Sequence, residues 1–170
     1  MHRNAQFLEN GFDLVPDKVS VDGAADITGG YVNLKLYDRA YTLLTKPAGS
    51  AGDDYTITVQ QAQDGSGTGV KALLFTKIWY KINADAATWT YVKLTTPVST
   101  LDLADVNGVD LASDTNSACV MAEVVSAEMD EGFTWVRQVY SGVGTANIAT
   151  TSWILAGHFY PQHIPLSPKA

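Results

Sequence analysis

Residues 54–62 alternate between apolar and polar side chains, and this pattern constrains the fold more than any other part of the sequence. Tyr55, Ile57 and Val59 fall on one side of an extended backbone, whereas threonine and glutamine side chains fall on the other. A period of two indicates a β-strand with one face in the core and one toward solvent. Glycine-rich stretches typical of turns bound the segment on both sides.

The same alternation recurs along most of the chain and predicts roughly eight strands, a number typical of a sandwich or barrel. Residues 89–94 are expected to form a hairpin with 78–82, and the apolar run at 119–125 predicts a central strand. No helix longer than two turns is predicted. We therefore predict an all-β fold, an antiparallel β-sandwich of jelly-roll type. The predicted strands are 31–37, 55–61, 70–82 with one bulge, 89–94, 119–125, 133–140 and 153–160.

The sequence divides into three parts. In residues 1–30 neither a helix period nor a strand period persists, which predicts an extended N-terminal arm with one short strand at Lys18–Val21. Residues 31–160 carry the alternating segments and form the predicted β-sandwich body. Three prolines in residues 161–170 predict an extended C-terminal tail.

The charge balance argues against some classes of partner. The chain has 11 lysines and arginines against 18 aspartates and glutamates, a net charge of -7. Phosphate neutralisation needs clustered basic residues, so we expect no nucleic-acid partner, and an acidic partner surface is less expected than a neutral or basic one. No apolar run approaches the roughly 18 residues of a membrane span. We predict neither a membrane partner nor a signal peptide, and expect synthesis in a cytoplasm.

Candidate catalytic and metal-binding groups are few. Cys119 lies in an apolar run and predicts a buried, inert thiol, and pairing with His158 as a catalytic dyad lacks local signature residues. A solvated acidic loop is the favoured interpretation of four aspartates, with a structural calcium site as the alternative; these are Asp102, Asp105, Asp110 and Asp114. We predict no enzyme activity, no catalytic residue, no cofactor and no metal site.

Aromatic residues form the remaining candidate site. Trp79, Tyr80, Trp89 and Tyr91 lie on two segments that are expected to pair. If two of these rings share an exposed face they can stack on a sugar. The alternative is that one face of the pair lies in the core and the other contacts a protein.

Three stretches of the sequence resemble small structural proteins of tailed bacteriophages. They are AGSAGDDYTITVQQAQDGSGTGVKALLFTKIWYKI, TWTYVKL and MAEVVSAEMDEGFTWVRQVY, and the resemblance extends over residues 31–160. It implies a role in the virion, commonly decorating or cementing the head shell. The family has no catalytic set, so the resemblance assigns no functional residues.

The resemblance implies a capsid decoration or cement protein on the surface of the virion, with the major capsid protein shell and further copies of itself, in a trimer, as partners. A sugar-binding module and a tail, neck or baseplate component are the alternatives. We predict that apolar residues near the two ends anchor the protein to its partner: Phe7, Leu8, Phe12 and Leu14 near the N-terminus, and Ile164 and Leu166 in the tail.

Overall fold

The computed structural model describes residues 11–48, 55–82, 88–106, 117–141 and 148–158. Within these ranges the chain forms twelve β-strands and one three-residue 3₁₀ helix, Ser126–Glu128. In chain order the strands are β1 (Phe12–Asp22), β2 (Ile27–Thr28), β3 (Val32–Asn33), β4 (Tyr37–Lys46), β5 (Thr56–Ala62), β6 (Lys71–Ala72), β7 (Phe75–Ile82), β8 (Thr90–Val98), β9 (Thr100–Asp102), β10 (Ala118–Val125), β11 (Trp135–Tyr140) and β12 (Ile148–His158).

The strands form two antiparallel sheets, which confirms the predicted all-β sandwich. Both sheets contain six strands. In one of them, which we call the six-stranded sheet, all six lie in a single row with the order β1-β12-β4-β10-β7-β8. The second sheet has the order β2-β11-β5-β6, with β3 also beside β11 and β9 also beside β5. The central position of β10, the strand over the predicted segment 119–125, follows the prediction. The expected hairpin is present as β7 and β8, with Trp79 opposite Tyr91.

The strand order is that of a jelly roll with one inserted hairpin. Pairing is nested along the chain: β1 pairs with β12, β2 and β3 with β11, β4 with β10, and β5 with β6. Successive pairs in this series alternate between the two sheets, as they do when one long hairpin is wrapped into a sandwich. The β7–β8 hairpin extends the six-stranded sheet beyond β10.

The hydrophobic core lies between the sheets. Ile57 and Val59 of β5 face Ile78 of β7 and Leu44 of β4 across this layer, and each is at most 1% exposed. Trp153 of β12 is the largest fully buried side chain. Because side chains alternate along a strand, the residues between these positions lie on the outer faces of the sheets.

One polar cluster ties the two sheets together inside this core. Gln138 of β11 donates from Nε2 to the carbonyl oxygen of Ser152 (3.0 Å) and to Oδ2 of Asp17 (3.3 Å), both in the six-stranded sheet. The Tyr140 hydroxyl donates to Oε1 of Gln138 (3.0 Å). Gly29 packs so closely here that a Cβ atom would collide with the Asp17 carboxylate and lie 2.9 Å from the Gln138 carbonyl oxygen. Gln138 is therefore a hydrogen-bonded part of the core.

The N-terminal region differs from the expected arm. The predicted short strand at Lys18–Val21 is part of an eleven-residue strand, β1, which pairs with β12 along the edge of the six-stranded sheet. Pairing shifts register twice along β1, and Ser20 has a positive φ of 51°. Bulges of this kind are common in edge strands. Residues 12–22 thus contribute a strand to the sandwich. The predicted start of the sandwich body at residue 31 therefore comes after its first strand.

Two predicted strands are wrong in their bounds. The alternation at 31–37 ends after Asn33, because the backbone turns where the N–H of Tyr37 bonds to the Leu34 carbonyl oxygen (3.0 Å), and Leu36 is exposed. The predicted bulged strand at 70–82 is two strands in different sheets: β6 lies in the second sheet and β7 in the six-stranded one. Leu73 and Leu74 break the alternation because the chain crosses between sheets there.

Candidate functional site

Every strand of the six-stranded sheet places an apolar side chain on the outer face. One row across the sheet runs from Leu14 through Ile154 to Tyr41. A second row runs from Met121 through Trp79 to Tyr91. Residues directly opposite each other in antiparallel strands lie on the same face and contact one another. We call the face formed by these six residues, together with Phe12 and Trp89, the aromatic face: Phe12, Leu14, Tyr41, Trp79, Trp89, Tyr91, Met121 and Ile154.

The aromatic face contains an open depression of about 420 Å³, lined by Phe12, Tyr41, Trp79, Trp89, Met121 and Ile154. The Tyr41 and Trp79 rings meet edge to face, with centroids 5.6 Å apart and planes at 76°. Trp79 and Tyr91 are 5.1 Å apart and tilted by 41°. The rings therefore form the walls of a cleft, and they do not form one flat platform.

A carboxylate lies beside this cleft. Glu123 accepts from Nη1 of Arg39 (2.9 Å), from the Tyr41 hydroxyl (3.3 Å) and from Nζ of Lys77. Its side chain is 4% exposed, whereas those of Arg39 and Lys77 are 46% and 37% exposed. The hydrogen bond to Glu123 raises the pKa of Lys77. The cluster fixes Tyr41 and two cations at the edge of the cleft.

The outer face of this sheet is positively charged although the chain is acidic. Lys93 lies opposite Lys77 on the neighbouring strand, and Nζ of Lys81 lies 5.4 Å from the centroid of the Trp89 ring. Arg39 and Lys77 contact Glu123, and Lys81 and Lys93 add two further cations to the same outer face. The predicted hairpin of 78–82 with 89–94 brings three of these lysines close together, whereas the position of Arg39 beside them depends on strand order.

A second depression, of about 340 Å³, lies near the 3₁₀ helix. Leu74, Pro97, Glu128 and Asp130 are among the residues that line it. Leu74 is 51% exposed, and Asp130 forms an ion pair with Lys71 (2.7 Å), which lowers the pKa of its carboxyl group. This site combines an exposed aliphatic side chain with carboxylates.

The predicted anchors divide into two groups. Phe12 and Leu14 lie at the start of β1, are 36% and 50% exposed, and belong to the aromatic face. The other four lie outside the described residues: Phe7, Leu8, Ile164 and Leu166.

Stacking on a sugar requires two aromatic rings on one exposed face. Trp79 and Trp89 meet this condition, and Tyr80 and Tyr91 do not. Trp79 and Trp89 both line the cleft, whereas Tyr80 is 9% exposed in the core and Tyr91 is 49% exposed on the outer face. Sequence reasoning missed Tyr41, Met121 and Ile154. Their strands carry apolar residues on both faces, so alternation alone does not mark these three as exposed.

The candidate catalytic dyad is not assembled. Cys119 lies opposite Thr45, and His158 lies opposite Tyr37, eight positions along the same strand. At the rise of an antiparallel strand this separation is about 27 Å. Cys119 is half-buried, its Sγ is 3.8 Å from the Thr45 hydroxyl, and burial raises the pKa of its thiol.

The described residues form neither a metal-binding cluster nor a membrane-spanning helix. Within the ranges that the structure describes, no three His, Cys, Asp or Glu side chains gather where they can hold a metal ion. Asp110 and Asp114 of the predicted acidic loop lie outside those ranges. The described part of the chain contains no helix of the length and hydropathy needed to span a bilayer.

The architecture defines this chain as an all-β sandwich with an exposed aromatic face. The fold is similar to that in the crystal structure of SPBc2 prophage-derived protein YomS, with a TM-score of 0.46 and 14% sequence identity over 86% of this chain and 95% of that one. No protein-family model matches the sequence, and neither does any curated protein.

Proposed function

We propose that this protein is a structural component of a phage virion that binds the head shell as a decoration or cement protein. The observation that carries the proposal is the aromatic face, to which all six strands of one sheet contribute. Contiguous apolar patches with polar surroundings mark sites of contact with other proteins. The resemblance of residues 31–160 to structural proteins of tailed phages supports the particle as the place of that contact.

Adhesion of this kind needs a rigid body and repeated contacts. The wide β-sandwich supplies the first, and many copies on one shell turn modest affinities into strong overall attachment. The predicted anchors Phe12 and Leu14 lie at the β1 end of the aromatic face, and these residues are 36% and 50% exposed. We assign the shell contact to this end.

The proposal is tested by cosedimentation of the purified full chain with head shells, and separately with tails, of the phage that encodes it. We expect saturable binding to heads, lost in the double variant Phe12→Ala/Leu14→Ala. Leu36→Ala, which shortens another exposed side chain, is the matched control and keeps binding. Circular dichroism verifies that each variant is folded. Binding to tails alone would show a tail, neck or baseplate component, and binding to neither would refute the proposal.

A truncation of residues 1–30 is not a suitable test. It removes β1, which pairs with β12 over eight registered positions, and so alters the body as well as the predicted arm. Loss of shell binding in that truncation would not separate an anchoring role from loss of the edge strand. Point substitutions on the outer face leave the backbone pairing intact.

Sugar binding is the second candidate, favoured by the exposed tryptophan and tyrosine rings of the aromatic face. Stacking on a sugar ring uses an accessible flat aromatic surface. The 41° and 76° tilts instead produce a cleft, whose shape fits an inserted side chain better. A fluorescence titration with host polysaccharide separates the two: saturable quenching lost in Trp89→Ala would favour the sugar.

A further inference from the structure

We propose that the β7–β8 side of the cleft on the aromatic face receives the acidic turn of a second copy of this chain, so that neighbouring copies join head to tail. The acidic turn comprises residues 128–131, and Leu74 lies beside it. This inference rests on the proposed function in treating the aromatic face as a protein contact. It adds the occupant of the cleft and the surface through which that occupant binds.

The receiving surface combines apolar walls with positive charge. Trp79 and Trp89 line the cleft, and Tyr91 packs against the Trp79 ring at 5.1 Å. Trp89 and Tyr91 are 40% and 49% exposed. Lys81 and Lys93 lie on the same outer face as Trp79 and Tyr91 because side chains two positions apart on a strand share a face. A partner that fits this surface has an apolar side chain flanked by carboxylates.

The chain itself carries such a surface. Leu74 is 51% exposed and shares a depression with Glu128 and Asp130, and Glu131 is exposed in the same turn. Lys71 neutralises Asp130 through their 2.7 Å ion pair, which leaves the charge of Glu128 and Glu131 for a partner. The two surfaces are therefore complementary in charge and each offers apolar groups.

The two surfaces lie on different parts of the sandwich. The cleft opens on the outer face of the six-stranded sheet, whereas the acidic turn lies where the chain passes from β10 to β11. There the Ser126 hydroxyl donates to the carbonyl oxygen of Asp38 on β4 (2.9 Å), and the Asp130 N–H donates to Oε1 of Gln61 on β5 (2.9 Å). One copy therefore cannot close the contact on itself. A contact between unlike surfaces is heterologous, and repetition gives a closed ring, such as the trimer that the resemblance implies, or a filament.

Nucleic acid is the rival occupant, since cations interleaved with aromatic rings are also found where single strands bind. Two observations favour the acidic protein surface. Glu123 engages two of the four cations, Arg39 and Lys77, and the chain as a whole carries a net charge of -7 that opposes a phosphate backbone.

Charge reversal tests the contact with the full chain alone. The cleft variant is Lys81→Glu/Lys93→Glu, the turn variant is Glu128→Lys/Glu131→Lys, and Thr28→Glu is a control at an exposed position of β2 in the second sheet. Sedimentation velocity measures the state of association at low and high salt. We expect an oligomer for the wild type and the control, weakened by salt, and a monomer for each double variant.

Mixing supplies the decisive measurement. An equimolar mixture of the cleft and turn variants restores opposite charges across the contact, so we expect oligomers in the mixture although neither variant forms them alone. A monomeric wild type, an oligomer that survives in the turn variant, or a mixture that stays monomeric would each overturn the proposal. Binding of an oligothymidylate probe that is lost in the cleft variant would overturn it too, in favour of nucleic acid.

The two experiments measure binding to different partners, although Phe12 lines the same cleft. A monomeric wild type that still sediments with head shells refutes the head-to-tail contact and leaves the proposed function standing. Oligomers that fail to bind head shells support the head-to-tail contact and refute the proposed function.

Discussion

The outer faces of the two sheets are built differently. On the second sheet, threonine, glutamine and arginine satisfy one another across strands: the hydroxyls of Thr58 and Thr100 are 3.0 Å apart, and Nε of Arg137 donates to Oε1 of Gln60 (2.6 Å). On the six-stranded sheet the corresponding positions carry exposed or half-exposed aromatic and aliphatic side chains. Trp135 and Val139 of β11 are also half-exposed on the outer face of the second sheet, but they lie beside hydrogen-bonded polar side chains. The six-stranded sheet carries an apolar side chain on every strand, and the larger apolar face gains more free energy when a partner covers it. This difference supports the six-stranded sheet as the side of contact.

Substitutions in the core and on the aromatic face should separate stability from contact. Ile78→Ala removes a fully buried side chain between the sheets, and we expect it to lower the free energy of unfolding by about 2–5 kcal/mol. Tyr91→Ala, on the outer face of the adjacent strand, should cost about 1 kcal/mol or less. Urea denaturation measures both. Equal losses of unfolding free energy would mean that the outer face stabilises the fold and is not specialised for contact with a partner.

The buried polar tie between the sheets predicts the next largest effect. Gln138→Ala removes the acceptor of the Tyr140 hydroxyl and a donor to the six-stranded sheet, so we expect a loss of about 1–3 kcal/mol. A double-mutant cycle with Tyr140→Phe isolates their hydrogen bond, because the two residues are in contact. Additive losses in the cycle would contradict direct coupling between them.

The ion-pair cluster at the cleft predicts a smaller and salt-dependent effect. Glu123→Gln keeps the size of the side chain but removes the charge that holds Arg39 and Lys77, and we expect a loss of about 1 kcal/mol because both partners are partly exposed. Added salt should reduce the difference from the wild type. The matched variant Asp130→Asn breaks a more exposed pair with Lys71 and should change stability less. A loss that is insensitive to salt would show that the cluster acts by packing.

Alternation predicted the sandwich because it reports which side chains can share a buried face. It could not report which apolar residues stay outside. Tyr41, Met121 and Ile154 lie on strands whose two faces are both apolar, so their exposure follows from strand order and not from local pattern. Gln138 shows the opposite case, a polar residue that is fully buried because partners distant in sequence satisfy it.

The positions of the strands in the two sheets explain the remaining differences between the predictions and the structure. The sequence around Leu73 and Leu74 resembles a bulge within one strand, yet the segments before and after it, β6 and β7, lie in different sheets. The local sequence does not determine which strands pair. The basic surface of the cleft arises in the same way. Three of its four cations lie on the β7–β8 hairpin, and Arg39 of β4 joins them because β10 lies between β4 and this hairpin. The net charge of the whole chain does not report this local excess of positive charge.

The outer face of the second sheet predicts the smallest effect and tests the comparison from the other side. Thr58→Ala removes one hydroxyl bond to Thr100 on a half-exposed surface, so we expect a change in unfolding free energy within about 0.5 kcal/mol. Association measured by sedimentation velocity should not change, because this face is already satisfied by its own hydrogen bonds. If Thr58→Ala or Arg137→Ala reduced association or shell binding, polar contacts on the second sheet would also belong to an interface. The difference between the two faces would then be one of interface chemistry, and both sides of the sandwich would be covered in the assembled particle.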